Sequence, residues 1–256
     1  MKVIVNADDF GSAIEVNKAI LKSFRMGIIS SSTILANGQA FEDAIQIVHK
    51  YHLIDNIGIH INLNTDFPIT ENIKKFKKFC HRDGSFINKR YTSLKIFYPL
   101  SSNELEVLKK EIEAQIHKCK SYGLILTHAD SHYHKHTEWN ISRVIAKVLF
   151  DEHIKSIRLA RNCGVGINFP KRLYKIFFNY TLNLKGFNTV NCFGSFEDFL
   201  YYFSKKNNIS CSAIEVMCHP KLVNNVVVDS NVPLKLKVLK LKKMIRSLKL
   251  ISYKEL

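Results

Sequence analysis

The strongest constraint on the fold is an alternation of short β-branched runs with stretches whose apolar residues recur at helical spacing. Residues 2–7 read as a first strand. Asp8-Asp9-Phe10-Gly11-Ser12 follows as an acidic loop, and Val16, Ile20 and Phe24 then mark one helix face. Residues 28–36 read as a second strand, and Asn37-Gly38 turns the chain into a helix over 40–52. A third strand, 57–64, carries His60. A helix opens at Asn103, where Glu106 approximates a capping box, and Gly123 stops it. Helices over 140–153, 196–203 and 234–248 and strands over 156–160 (with Arg158) and 209–218 (ending at His219-Pro220) complete the series.

Strands and helices spaced this way imply right-handed βαβ units around a parallel sheet. Six or seven strands, with no glycine-rich phosphate loop after any of them, favour an irregular (β/α) TIM-like barrel over an open nucleotide-binding sheet. In such a barrel the active site lies at the C-terminal ends of the strands. The expected organisation is one α/β domain over 1–256 with irregular insertions at about 67–100 and 162–193, the first suited to a substrate-facing loop or lid.

The chain has 256 residues, 46% hydrophobic and 23% charged, enough for one large domain with a full core. No run approaches the roughly 20 apolar residues of a membrane span. The first residues turn acidic too early for a signal peptide, so the expected location is the cytoplasm. Six cysteines without a C-x-x-C pair read as reduced thiols with no assigned role. The net charge of +16 could attract nucleic acid or acidic membrane, but Lys is accompanied by abundant Asn and Ile. That is a compositional bias, and the expectation is neither a nucleic-acid nor a membrane partner.

Chemistry concentrates in residues 127–136, T-H-A-D-S-H-Y-H-K-H. His128, Asp130, His132, His134 and His136 take every second position after the apolar residues 123–126. On an extended strand they share a face, roughly 6–7 Å apart. Ligands of a first-row metal sit about 2.0–2.2 Å from the ion, so only one or two of the five can coordinate it. The bland alternative is a polar loop with an incidental His cluster. Asp8 and Asp9 diverge as neighbours, so one can bind an ion while the other accepts a proton. Asp9, His60 and one His of the row would form a two-His, one-carboxylate set with open positions. Helix capping and a hydrogen-bonded core histidine are the plain alternatives for Asp8-Asp9 and His60.

V-N-A-D-D-F-G (5–11), A-N-G-Q-A (36–40), G-I-H (58–60), the row at 127–136 and I-E-V-M-C-H-P (214–220) together resemble the YdjC-type carbohydrate deacetylases, nearest to the chitooligosaccharide (chitin disaccharide) members. The closing I-S-Y-K-E-L is similar to the family's C-terminal end. The resemblance implies metal ligands at Asp9, His60 and His132, a catalytic base at Asp8 and a general acid at His219. It also implies one divalent ion, Mg²⁺ or Zn²⁺, a distorted TIM-like barrel, and an N-acetylglucosamine-containing substrate of the kind met in chitin degradation. Similar proteins often form dimers. Asp130, one step back from His132, is expected to orient an imidazole. His128, His134 and Arg158 are assigned to substrate contact or ligand support, with His134 the first choice for substrate. Two rivals stand beside this reading: a metal-dependent hydrolase of a phosphoester or another N-acylated sugar, and a basic nucleic-acid-binding protein.

Overall fold

The computed structural model describes residues 1–88, 99–163, 166–205, 211–245 and 248–256. Its strands are β1 (Lys2–Phe10), β2 (Ser31–Ile34), β3 (Ile57–Ile61), β4 (Ala129–Ser131), β5 (Cys192–Ser195), β6 (Ala213–Cys218), β7 (Lys221–Val223), β8 (Val226–Asp229), β9 (Val232–Pro233) and β10 (Lys249–Leu250). The helices are α1 (Ile14–Arg25), α2 (Phe41–Lys50), α3 (Ser102–Ser121), α4 (Trp139–Asp151), α5 (Phe169–Leu184), α6 (Phe196–Lys205) and α7 (Leu234–Met244). The main sheet runs β4-β3-β2-β1-β6-β5, all parallel, with β10 added beside the start of β1. β7, β8 and β9 form a separate antiparallel sheet. No helix among the described residues is long and apolar enough to cross a membrane.

β2 and β3 are buried along their whole length, because a parallel sheet is covered on both faces by its crossover segments. Each fully buried Ile there contributes about 1.5–3 kcal/mol. The turns after β1 and β2 pack backbone to backbone: a Cβ on Gly38 would fall 2.2 Å from the Gly11 carbonyl oxygen, so only glycine fits. Buried Asn17 of α1 locks the same corner, accepting from Gly11 N at 2.7 Å and donating to Ala40 O at 2.9 Å.

The architecture is a single α/β domain with a curled parallel sheet, a half-barrel, which agrees with the expected α/β class and parallel strands and falls short of a closed TIM-like barrel. The difference lies at 156–160, which makes isolated bridges only, Ala129 to Ile157 and Ser156 to Asn188. Its backbone divides its bonds among neighbours. Ile157 N donates to Asn188 O, Arg158 N to Ala129 O and Ala160 N to the Asn179 side chain, so no ladder builds on either side.

Other boundaries also move. β1 runs on through Asp8, Asp9 and Phe10, which the sequence placed in a loop. The capping box of α3 uses Ser101 and Glu104, two residues before the expected pair, because Glu104 also accepts from Lys78 at 2.8 Å and is held there. Glu111 and Gln115 of α3 are buried; Gln115 clasps the backbone of Asn62, fixing the chain just beyond His60. α5 occupies half of the second expected insertion. Residues 89–98 and 164–165 of the two insertions, 209–210 of the sixth expected strand and 246–247 of the last expected helix lie outside the described residues.

Candidate metal centre

In a regular strand, Asp8 and Asp9 would point to opposite faces. Here Asp9 adopts a left-handed backbone, φ 69°, and the register against β2 shifts between Ala7 and Phe10. Such an irregularity re-aims a side chain, and Asp is among the few residues that tolerate left-handed φ. As a result Asp8 enters the interior and Asp9 turns toward the histidines.

His60 and Asp130 are directly paired across β3 and β4. His60 Nδ1 lies 2.6 Å from Asp130 Oδ1, which assigns the Nδ1 proton to that hydrogen bond and turns Nε2 toward Asp9. His132 is the first residue after β4. Its Nδ1 is 2.9 Å from Asp9 Oδ1 and 3.3 Å from His60 Nε2, and His60 Nε2 is 3.3 Å from Asp9 Oδ1.

These atoms fit a cation. Donors at the corners of a tetrahedron around an ion about 2.0–2.2 Å away stand roughly 3.3–3.6 Å apart, close to the three separations here. Asp9 Oδ1 is buried and accepts no well-aligned hydrogen bond. Burial raises the Asp9 carboxyl, but the close ring nitrogens of His132 and His60 lower it by more, so it is ionised. Burial lowers the His60 imidazole, yet the Asp130 charge and hydrogen bond, helped by Asp9 and Asp8, lift it to about 10. A group that holds a proton this tightly at Nε2 is equally suited to a divalent ion in its place.

Arg158 lies beneath, wholly buried, with one guanidinium serving three carboxylates. Its Nη1 and Nη2 donate to both oxygens of Asp8 at 2.7 Å, Nη1 also lies 2.5 Å from Asp130 Oδ2, and Nε donates to Glu215 at 2.7 Å. Burial raises the Asp8 carboxyl, and Arg158, by charge and hydrogen bond, outweighs it, keeping Asp8 ionised. His219 follows β6 directly at the half-exposed rim, with Nε2 3.9 Å from Asp8 Oδ2. Asp229 of β8 accepts from its backbone N–H at 3.0 Å and fixes the chain there.

The histidine row does not continue as one strand. After Ser131 the backbone enters a 3₁₀ segment with Tyr133 (φ 52°) and His134 (φ 58°) left-handed, so the period-2 alternation ends at His132. His128 precedes β4 instead of ending a strand; it is buried, hydrogen-bonded to Asn6 at 3.1 Å and stacked on Tyr253. Gly58 makes room for it, since a Cβ there would fall 2.4 Å from His128 Nδ1. His134 is half-buried and edge-on to Phe193, with its Nδ1 atom enclosed and unpartnered; loss of water around the ring, with the Arg158 charge, pushes it down to about 3, so the ring is neutral. His136 bonds Ser131.

Thus Asp9, His60 and His132 meet around one point, Asp8 and His219 flank it, Asp130 and Arg158 brace it, and His128 lies behind Asn6. Asn6, Thr33, Glu215 and Tyr253 also belong to this buried network and had no role in the sequence reading. The clue for Glu215 was a lone acid in an apolar strand, which must find a cation.

The fold and these residues define a class: an α/β protein whose parallel strands bring together an Asp-His-His cluster that could hold a cation. The YdjC-like protein family model matches residues 2–245, and the chain belongs to that family. A carbohydrate deacetylase of Halalkalibacterium halodurans is 31% identical over 229 residues, 89% of this chain and 88% of that protein. One from Vibrio parahaemolyticus is 30% identical, covering 86% and 78% of the two chains, and one from Clostridium beijerinckii 26%, covering 90% and 86%. Among solved structures, a candidate cellobiose-phosphate cleavage protein of Enterococcus faecalis superposes with a TM-score of 0.74 at 20% identity, covering 99% of this chain and 98% of that one. The lactam utilization protein of Thermus thermophilus gives 0.53 at 14%, covering 98% of this chain and all of that one.

Proposed function

We propose that this protein is a metal-dependent carbohydrate deacetylase that hydrolyses the N-acetyl group of an N-acetylglucosamine-containing sugar, of the chitooligosaccharide type, and releases acetate. The observation that carries the reading is the approach of Asp9 of β1, His60 of β3 and His132 just after β4 to within 3.3 Å of one another. The names of the relatives supply the substrate class.

Asp9, His60 and His132 would hold the ion, which when bound supplies Lewis acidity toward water and an amide carbonyl. Asp8 Oδ2 accepts the proton of the attacking water. Arg158 occupies one lone-pair direction on each Asp8 oxygen and Asn6 a second on Oδ1, which leaves one open on Oδ2, since a carboxylate has about four acceptor sites. His219 Nε2 donates a proton to the departing sugar nitrogen as the C–N bond breaks, so the amine leaves neutral. Asp130 keeps the His60 ring in the tautomer that faces the site.

Incubation of purified protein with N,N′-diacetylchitobiose and Zn²⁺, Co²⁺ or Mg²⁺ tests the reading, with acetate measured directly. Acetate release that disappears in His60→Ala and His132→Ala, together with their bound metal, supports it. Phosphate released from sugar phosphates without acetate would move the assignment to a phosphoesterase, and salt-dependent nucleic-acid retention that survives both substitutions would favour the basic binding protein.

A further inference from the structure

Residues 248–256 return to the sheet at the end opposite the candidate metal centre. β10 lies beside the start of β1, with Lys249 N donating to Met1 O and Ile251 N to Val3 O. This seats Tyr253, 2% exposed, below the interior. A side chain there could merely fill space, but two buried polar paths lead from it to the ligands.

The first starts at the hydroxyl. Tyr253 donates to Glu215 Oε2 at 2.5 Å, and the other Glu215 oxygen accepts from Arg158 Nε at 2.7 Å. Arg158 then reaches Asp8 and Asp130, and Asp130 fixes His60. The second starts at the ring, which stacks on His128 with centroids 3.8 Å apart and an interplanar angle of 11°. His128 Nε2 pairs with Asn6 Oδ1 at 3.1 Å, and Asn6 Nδ2 donates to Asp8 Oδ1 at 2.9 Å and Thr33 Oγ1 at 3.2 Å. Both paths end on Asp8 and on the partners of His60.

The charge balance gives the hydroxyl its importance. Three carboxylates share one guanidinium, and Glu215 is the one farthest from the ligands along the network. Without Tyr253, Glu215 Oε2 loses its hydrogen-bond donor in a site closed to water, and an unsatisfied buried carboxylate oxygen draws its remaining partner. That partner is Arg158, which Asp8 and Asp130 also need.

We infer that Tyr253 is a positioning residue: by satisfying Glu215 it leaves Arg158 free to hold Asp8 and Asp130 in place, so the C-terminal segment takes part in assembling the site. The inference rests on the metal-site reading above, and it concerns placement of groups, with no contact between Tyr253 and substrate.

The test is a double-mutant cycle of Tyr253→Phe and Glu215→Gln in the full chain, read by Co²⁺ affinity from calorimetry and by kcat and KM for acetate release. Tyr253→Phe keeps the ring and its stacking, and urea midpoints show that each variant folds. Removal of a supporting partner typically costs 10–100-fold in affinity or activity, and one step further out the expected loss is about fivefold in Co²⁺ affinity and about tenfold in kcat, with KM within about twofold. In the Glu215→Gln background the Tyr253→Phe effect should vanish, because the carboxylate it satisfies is gone. Unchanged Co²⁺ affinity and kcat in Tyr253→Phe, or losses that simply add in the double variant, would overturn the inference and leave Tyr253 a packing residue. If the unmodified protein releases no acetate, the deacetylase reading fails, while the Co²⁺ cycle still decides this one.

Discussion

His60 and Asp130 face each other across β3 and β4, and their 2.6 Å contact between Nδ1 and Oδ1 decides which ring nitrogen of His60 looks toward Asp9. Asp130→Asn keeps the shape and removes the charge that holds the Nδ1 proton. The expected result is a 10–100-fold loss of Zn²⁺ or Co²⁺ affinity, measured by calorimetry. Unaltered affinity would mean that Asp130 serves Arg158 alone.

Removing the ion should cost stability as well as activity. A ligand at 100 times its Kd stabilises the folded state by about 2.7 kcal/mol. For a chain of this size that corresponds to a Tm lower by roughly 5–10 °C after chelation, recovered when metal is returned. His132→Ala should abolish the metal-dependent part of the shift.

Arg158 balances three buried carboxylates with one cation, so Arg158→Met leaves Asp8 and Glu215 without their cation and Asp130 with His60 alone. Breaking a buried ion pair from one side costs about 3–5 kcal/mol, read from the urea midpoint. Arg158→Lys should recover only part of this, since an ammonium cannot address Asp8, Asp130 and Glu215 along three fixed directions.

Glu215 gives the pH dependence its sign. Burial raises its carboxyl, Arg158 and the Tyr253 hydroxyl lower it, and Asp130 raises it again, leaving it at about 7 against an ordinary 4.5. The folded state therefore holds this proton more tightly than the unfolded chain. Its contribution is fully present below about pH 4.5 and is lost as pH rises through about 7. Glu215→Gln has no such proton, so its stability relative to the unmodified protein should climb between about pH 4.5 and 7 and then level off. The full span is on the order of 3 kcal/mol. Urea titrations in chelator across that range measure it, and a flat difference would remove Glu215 as the titrating group.

How much of this was legible in the sequence follows from where each signal resides. Asp8, Asp9 and His60 stand at the ends of apolar runs, and only a strand that leaves a core for a functional rim places acids and imidazoles there. The bracing roles were hidden, because the contacts of Glu215 and Arg158 join residues 57 positions apart and exist only once the sheet curls. α5 was obscured by its own surface: Phe169, Leu173, Ile176, Phe177 and Tyr180 are all more than half exposed, so the apolar residues show no single inward stripe. The β7 to β9 sheet did carry a readable signal. Asn224-Asn225 and Ser230-Asn231 both adopt left-handed backbones, the tight-hairpin requirement that Asn favours, and they flank the Val226–Asp229 strand. The α3 capping box was ambiguous, since Ser101/Glu104 and Asn103/Glu106 both satisfy the local pattern and the ion pair with Lys78 selects the first.

The inverted backbone at Asp9 means that the division between the two adjacent acids is written in chain parity. Neither side chain carries a label that sends it to arginine or to histidine. One residue inserted just before Asp8 would move both acids a step along the strand while leaving the composition of the pocket intact, so this stretch should tolerate changes of length far less readily than changes of letter.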